Sequence, residues 1–314
     1  MPSHRPAPIG VEDYAGFLPP ARRASLVPPV SQWWDWRAHR VHLSRLRDPD
    51  APVRLIVVHG AGAHAAALWP VASLMAGRRL DLAAVDLPLY GRTMTDSRAT
   101  VTYPDWIALL VELIAAEDDG RPVILLGASI GGLLAVEAAA RSGAVSAVVA
   151  TCLLDPRESE ARAVMTRFGS PASMLAPLLA LARGPVARIP LKMSWVADLA
   201  SMGRDPGLGR LCAKDVRGGG SMVPLGFLAS YLRHAHSAAR TVSVPVHLMH
   251  PELDEWTPVG LSESTLRTLA GPTTSRLLRG CGHFPLEEPG LEDLVRGITQ
   301  VAADAAPAAD HRPH

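Results

Sequence analysis

Six short aliphatic runs, at 54–59, 80–86, 122–127, 145–151, 244–249 and 275–278, punctuate this 314-residue chain and alternate with helical patterns. Apolar runs of that length suit strands covered on both faces, as in a parallel sheet. Strand–helix alternation brings right-handed crossovers and an open, doubly wound α/β architecture. Two of the intervening helices announce themselves. Thr102 and Asp105 form a start signal, after which Trp106, Leu109, Leu110, Leu113 and Ile114 share one face. A second helix is predicted over 129–141, with Gly143 as its stop.

Outside this rhythm the chain reads differently. Residues 1–30, rich in Pro and small residues, are expected to form an irregular arm, and 34–47 to supply one or two edge strands. The pattern breaks again over 156–236, where no convincing strand appears and Gly and Pro chop the chain into short helices. That stretch is predicted to be a helical cap inserted into a core made of 31–155 and 237–303. Residues 304–314 are expected to be a disordered tail.

A formal net charge of +1 gives no footprint of a nucleic-acid binder. Three scattered cysteines, Cys152, Cys212 and Cys281, do not make a disulfide framework. The first residues lack the apolar core of a secretory leader. The longest apolar run, 174–182, falls far below the ~20 residues that span a bilayer. A cytoplasmic protein is the expectation; oligomeric state is left open.

One pentapeptide carries chemistry. Gly127, Ala128, Ser129, Ile130 and Gly131 match G-x-S-x-G, directly after a predicted strand and at the start of a predicted helix. A serine on so sharp a bend needs tiny neighbours two residues away on either side. Such a turn lifts the Ser129 hydroxyl to the sheet's carboxyl edge and puts the Ile130 amide at a helix N-terminus, facing a developing oxyanion. Upstream, His59, Gly60, Ala61 and Gly62 close a strand, and the Ala61 amide is the candidate second donor. His59 is expected to bond loop backbone instead of substrate.

A serine nucleophile needs a base, and the base needs a group that fixes its tautomer. His283, in a glycine-flanked loop after the last predicted strand, is the candidate base. Asp254, in the loop after the preceding strand and just before Thr257 and Pro258, is the favoured acid; Asp155, Glu252 and Glu255 are its rivals. No cofactor or metal is implied: His234 and His236, two apart, would not share a helix face.

On these motifs, residues 52–300 resemble the α/β-hydrolase superfamily, in particular its capped esterases and lipases, the group that includes monoacylglycerol lipases and lysophospholipases. The matching pieces are His59 to Gly62, the turn from Asp86 to Gly91, the serine elbow, Asp254 with Thr257 and Pro258, and Gly282 with His283. Serine, acid, histidine is also that superfamily's order along the chain. The sequence departs from the group at Ala128, where His is frequent, and after Asp86, where the usual arginine and second glycine are missing. The resemblance implies an α/β-hydrolase fold with a mostly parallel doubly wound sheet and an inserted helical cap. It also implies hydrolysis of a carboxylic ester, thioester or lactone through an acyl-enzyme. The same triad serves amide or C–C cleavage and acyl transfer, and a non-catalytic ligand-binding descendant is the reading from a different class. Tyr90, Trp195, Met222 and Trp256 are the residues expected to face a small apolar substrate.

Overall fold

Each aliphatic run is a strand of one nine-stranded sheet in the computed structural model, which describes residues 8–307. In chain order the strands are β1 (Val30–Trp36), β2 (His39–Leu46), β3 (Val53–Val58), β4 (Leu80–Val85), β5 (Met94–Thr95), β6 (Val123–Gly127), β7 (Ala147–Ala150), β8 (Pro190–Lys192), β9 (Met222–Pro224), β10 (Val246–Pro251) and β11 (Thr273–Leu278). Across the sheet they run β1-β2-β4-β3-β6-β7-β10-β11, with β5 pairing β2. From β4 through β11 the pairing is parallel, whereas β1, β2 and β5 add antiparallel ribbons at one edge. Every residue of β3, β4, β6 and β7 is buried, which is why those strands read as apolar runs, broken by Arg54 and Asp81, which pair with each other at 2.7 Å. Each fully buried Val, Leu or Ile side chain there contributes about 1.5–3 kcal/mol.

Two short helices, α1 (Val11–Ala15) and α2 (Pro20–Arg23), precede the sheet, so residues 8–30 are not the irregular arm expected; the first seven residues of that arm lie outside the described residues. Tyr14, Ala15 and Leu18 go into the core, and Arg22 pairs with Glu288 and Glu292. Apolar anchors only a few residues apart are enough to fold a segment that its Pro content reads as loop. The next helices are α3 (Ala65–Ala72), α4 (Tyr103–Ala116) and α5 (Ile130–Ser142). Asp105 accepts from the Thr102 amide at 2.8 Å, and the predicted apolar face of α4 is buried. Gly143 ends α5 at φ 65°, a left-handed conformation that glycine adopts without cost.

Between β7 and β10 lie α6 (Ser159–Met165), α7 (Gly169–Leu179), α8 (Gly184–Ala187), α9 (Met193–Val196), α10 (Pro206–Lys214) and α11 (Leu225–Arg233). This stretch also holds β8 and β9, paired antiparallel with Leu191 opposite Val223, which corrects the expectation of no strand. Three residues per strand are too few to show a period of two. The chain closes with α12 (Val259–Leu266) and α13 (Gly290–Ala305). Residues 304 and 305 are therefore helical, and the rest of the expected tail beyond 307 lies outside the described residues.

Register positions the site. Val58, Gly127 and Ala150 pair laterally, so β3, β6 and β7 end level with one another. The chain leaves β3 towards β4 and returns on the other side as β6, and crevices form at such a reversal of strand order.

Candidate active site

At the end of β6, Ser129 adopts φ 55° and ψ −130°, outside the comfortable regions for a residue with a side chain. Strain of this kind costs of the order of 1–3 kcal/mol and persists only where the surroundings enforce it. The surroundings here are backbone. A Cβ on Gly127 would sit 2.3 Å from Gly131 O, and one on Gly131 would sit 2.6 Å from Val58 O. A Cβ on Gly132 would lie 2.0 Å from Cys152 O, so α5 packs against the sheet end only because that position has no side chain.

The loop after β3 approaches just as closely. A Cβ on Gly60 would meet Ser129 Cβ at 2.9 Å and Ile130 N at 3.3 Å. The Ala61 and Ile130 amides have no hydrogen-bond partner among the described residues, as two donors held for an oxyanion require. His59 sets the loop's orientation. The Leu87 amide donates to its Nε2 at 2.9 Å, which leaves the proton on Nδ1 to donate to Gly60 O at 2.7 Å. In a trans peptide the Ala61 N–H points opposite to the Gly60 carbonyl, so fixing one directs the other.

Burial pushes the His59 imidazole down to about 4, and burial with neighbouring His234 does the same to His236. An unfolded chain takes up those two protons near pH 6.5, whereas the folded chain resists them until about pH 4. The unfolded state therefore binds more protons in that window, and stability falls as pH falls through it. Each histidine is expected to contribute about 1.4 kcal/mol per pH unit to that fall. Denaturant titrations between pH 6.5 and 4.5 measure the slope; His236→Gln should remove about one proton from it, and a slope unaltered by that change would refute the assignment.

His283 follows β11 and is 5% exposed. Its Nδ1 lies 2.7 Å from Asp254 Oδ2. Asp254 is a saturated acceptor: Oδ1 takes the Trp256 and Thr257 amides at 2.9 and 2.8 Å, and Oδ2 takes the Thr257 hydroxyl at 2.5 Å. Burial raises the Asp254 carboxyl, but the charge and hydrogen bond of His283 and the Thr257 donors outweigh it, and the net shift is downward. With Nδ1 protonated towards Asp254, the His283 Nε2 lone pair is left, buried and without a hydrogen-bond partner among the described residues. Ser129 and His283 line one cavity but are not hydrogen-bonded to each other, a looseness common before substrate binds.

The rival acids are otherwise engaged. Asp155 pairs with Arg157 at 2.8 Å and Arg240 at 3.7 Å. Glu252 accepts from the Gly280 amide at 2.8 Å, lacing the acid loop to the histidine loop, and Glu255 is exposed.

Two lobes diverge from Ser129 and Ala61. One, with about 740 Å³ of open space, runs towards Tyr14, Leu68, Met202, Cys212 and Phe284. The other, with about 940 Å³, lies against Met165, Leu179, Val196 and Phe227 from the stretch between β7 and β10, and against Trp256. Of the four expected pocket residues, only Trp256 lines a lobe, and its ring lies 4.7 Å from that of His283. Tyr90 is instead core, packed on His59 and Trp106. Trp195 and Met222 turn outward, 60% and 41% exposed. Tyr14 had no sequence signal as a wall; it arrives from α1, and its hydroxyl donates to Asp215, which also holds His64 just past the Ala61 loop. Cys212 is no rival nucleophile, since burial pushes its thiol up to about 12.

The profile of the alpha/beta hydrolase family matches residues 55–295. No curated protein matches the chain by sequence. Among solved structures, a monoacylglycerol lipase from Paleococcus ferrophilus superposes with a TM-score of 0.67 at 20% identity, covering 85% of this chain and 99% of that one. A soluble variant of monoglyceride lipase from Saccharomyces cerevisiae, in complex with a substrate analog, gives 0.69 at 14% identity, with coverages of 90% and 97%. Est1E from Butyrivibrio proteoclasticus, bound to ferulic acid, gives 0.59 at 13%, with 87% and 98%. At these identities the likeness is one of fold. No helix among the described residues is long and apolar enough to cross a membrane.

Proposed function

The chain belongs to the alpha/beta hydrolase family, and from that premise we propose that it hydrolyses a carboxylic ester whose groups on either side of the carbonyl are largely apolar. Ser129 Oγ attacks the carbonyl carbon while His283 Nε2 takes its proton, and Asp254 holds the imidazolium that forms. The oxyanion is met by the Ala61 and Ile130 amides. Collapse expels the alcohol, which receives the proton from His283, and leaves Ser129 acylated. Water, deprotonated by the same nitrogen, then releases the acid and restores the enzyme.

One observation carries this reading: His283 has Nδ1 committed to Asp254 and an unpartnered Nε2, in the cavity that the strained Ser129 also lines. The apolar walls of both lobes support the substrate class. A fluorophosphonate probe tests it by labelling an activated serine. The wild type should label at Ser129 and Ser129→Ala should not; an unlabelled, folded wild type would instead indicate a binding protein on a hydrolase frame.

A further inference from the structure

The second lobe, under the stretch between β7 and β10 that we read as a cap, has one charged residue in its wall among the described residues. Arg162, on α6, lines it together with Thr166, Ser129 and a largely apolar surface. Its Nη1 is occupied, donating to Pro156 O at 3.2 Å and Arg157 O at 2.6 Å. The opposite edge, Nε with Nη2, makes no hydrogen bond to any of the described residues. Nε is buried with no hydrogen-bond partner, and among the described residues no carboxylate lies within 4.0 Å of the guanidinium. Thr166 Oγ1 is likewise buried and unpartnered.

The same protein shows what that edge does when it is used. Arg157 grips Asp155 with Nε on one carboxylate oxygen and Nη2 on the other, at 3.2 and 2.8 Å. Arg279 holds Asp293 in the same way, at 2.8 and 3.0 Å. The planar fork matches a carboxylate's two oxygens, which a rounder anion does not offer. A buried Nε left without a partner is costly, and a ligand anion removes the cost by completing the pair.

We propose that the cap lobe receives a substrate group ending in a carboxylate, bound by the Nε–Nη2 edge of Arg162 and the Thr166 hydroxyl. The intervening apolar chain lies against Met165, Val196 and Phe227. Resting on the hydrolase reading above, this narrows the substrate to an anionic ester, such as the half-ester of a dicarboxylic acid, and sets it apart from a neutral glyceride. It also assigns the released product: a dicarboxylate if the lobe takes the acyl side, a hydroxy acid if it takes the alcohol side.

The test compares esters of equal length ending in a carboxylate or a methyl group, with the end group on the acyl side in one pair and on the alcohol side in the other. In one of the pairs the wild type should favour the carboxylate at least about tenfold in kcat/KM, expressed mainly in KM, as charge-assisted bonds of this strength allow. In Arg162→Gln that ratio should fall towards one. Because both substrates are read in the same variant, general damage to the fold cancels. A wild-type preference for the methyl end in both pairs, or a ratio that survives Arg162→Gln, overturns the proposal and leaves the hydrolase reading standing. Calorimetric titration of Ser129→Ala with octanoate and with octanol, with and without Arg162→Gln, separates the two claims. Octanoate binding that depends on Arg162 upholds the carboxylate subsite even if no ester is turned over. Octanoate binding no tighter than octanol, or indifferent to Arg162, removes it.

Discussion

Ser129→Ala is expected to lower kcat by up to about 10⁶-fold on any ester that the wild type turns over, close to 8 kcal/mol of transition-state stabilisation. On the proposed mechanism the substitution removes the atom that forms the acyl-enzyme and leaves the Ala61 and Ile130 amides and both lobes in place, so substrate should still bind. What remains is the acceleration that binding and the Ala61 and Ile130 amides supply without a nucleophile, some 10³–10⁴ over water in well-studied triads. The fold should persist. Alanine keeps the Cβ, and the bend at φ 55° is imposed by backbone contacts at Gly127 and Gly131, not by the hydroxyl. Burst and steady-state kinetics on an activated ester, beside a thermal melt, measure both halves of the expectation. A loss smaller than tenfold in a folded variant would take Ser129 out of the chemistry.

The core was legible because its physics is local. Strands buried on both faces are apolar apart from the mutually paired Arg54 and Asp81, and the elbow must be glycine where backbone atoms pass within 3 Å of the missing Cβ. His59 was also readable as structural, since a histidine closing a buried strand has loop carbonyls and amides for partners. The stretch between β7 and β10 was legible only as a break in rhythm. Its helices are short, and its exposed apolar residues, Phe168, Met174 and Trp195 among them, look like core to any argument based on residue type. Apolar character states what a side chain would gain from burial, not whether the fold provides it. Trp195 and Met222 were misread as pocket for that reason. Tyr14 and Arg162 were missed for the converse one: each becomes a wall only through tertiary packing, and neither sits in a motif.

The N-terminal segment shows how such packing reaches the chemistry. Tyr14 and His64 meet on one oxygen of Asp215, at 2.8 and 2.7 Å, so α1, the loop after β3 and the stretch that follows α10 share a single buried carboxylate. Gly218, three residues further on, lies against Gly62 O, where an added Cβ would come within 2.8 Å. The backbone that presents the Ala61 amide is thus braced by the stretch after α10 as well as by His59 and Leu87.

Asp254→Asn should cost about 10⁴-fold in kcat, the scale seen when a triad's orienting carboxylate becomes an amide, with little change in fold. The carboxylate has one oxygen for the Trp256 and Thr257 amides and one for Thr257 Oγ1 and His283 Nδ1. In asparagine the oxygen goes to the two amides, which can only donate, and the NH₂ is left facing His283. Nδ1 must then accept, the proton moves to Nε2, and the nitrogen meant to receive the serine proton no longer has a lone pair. The loss should ease as pH rises far enough for hydroxide to replace the missing base. Asp155→Asn is the matched control. It breaks ion pairs with Arg157 and Arg240 that have no contact with His283, so its cost should appear in the melting temperature and not in kcat. Equal losses of kcat in the two variants, or a larger one in Asp155→Asn, would overturn Asp254 as the orienting acid, because the histidine's tautomer would then be set by something other than the bond at 2.7 Å.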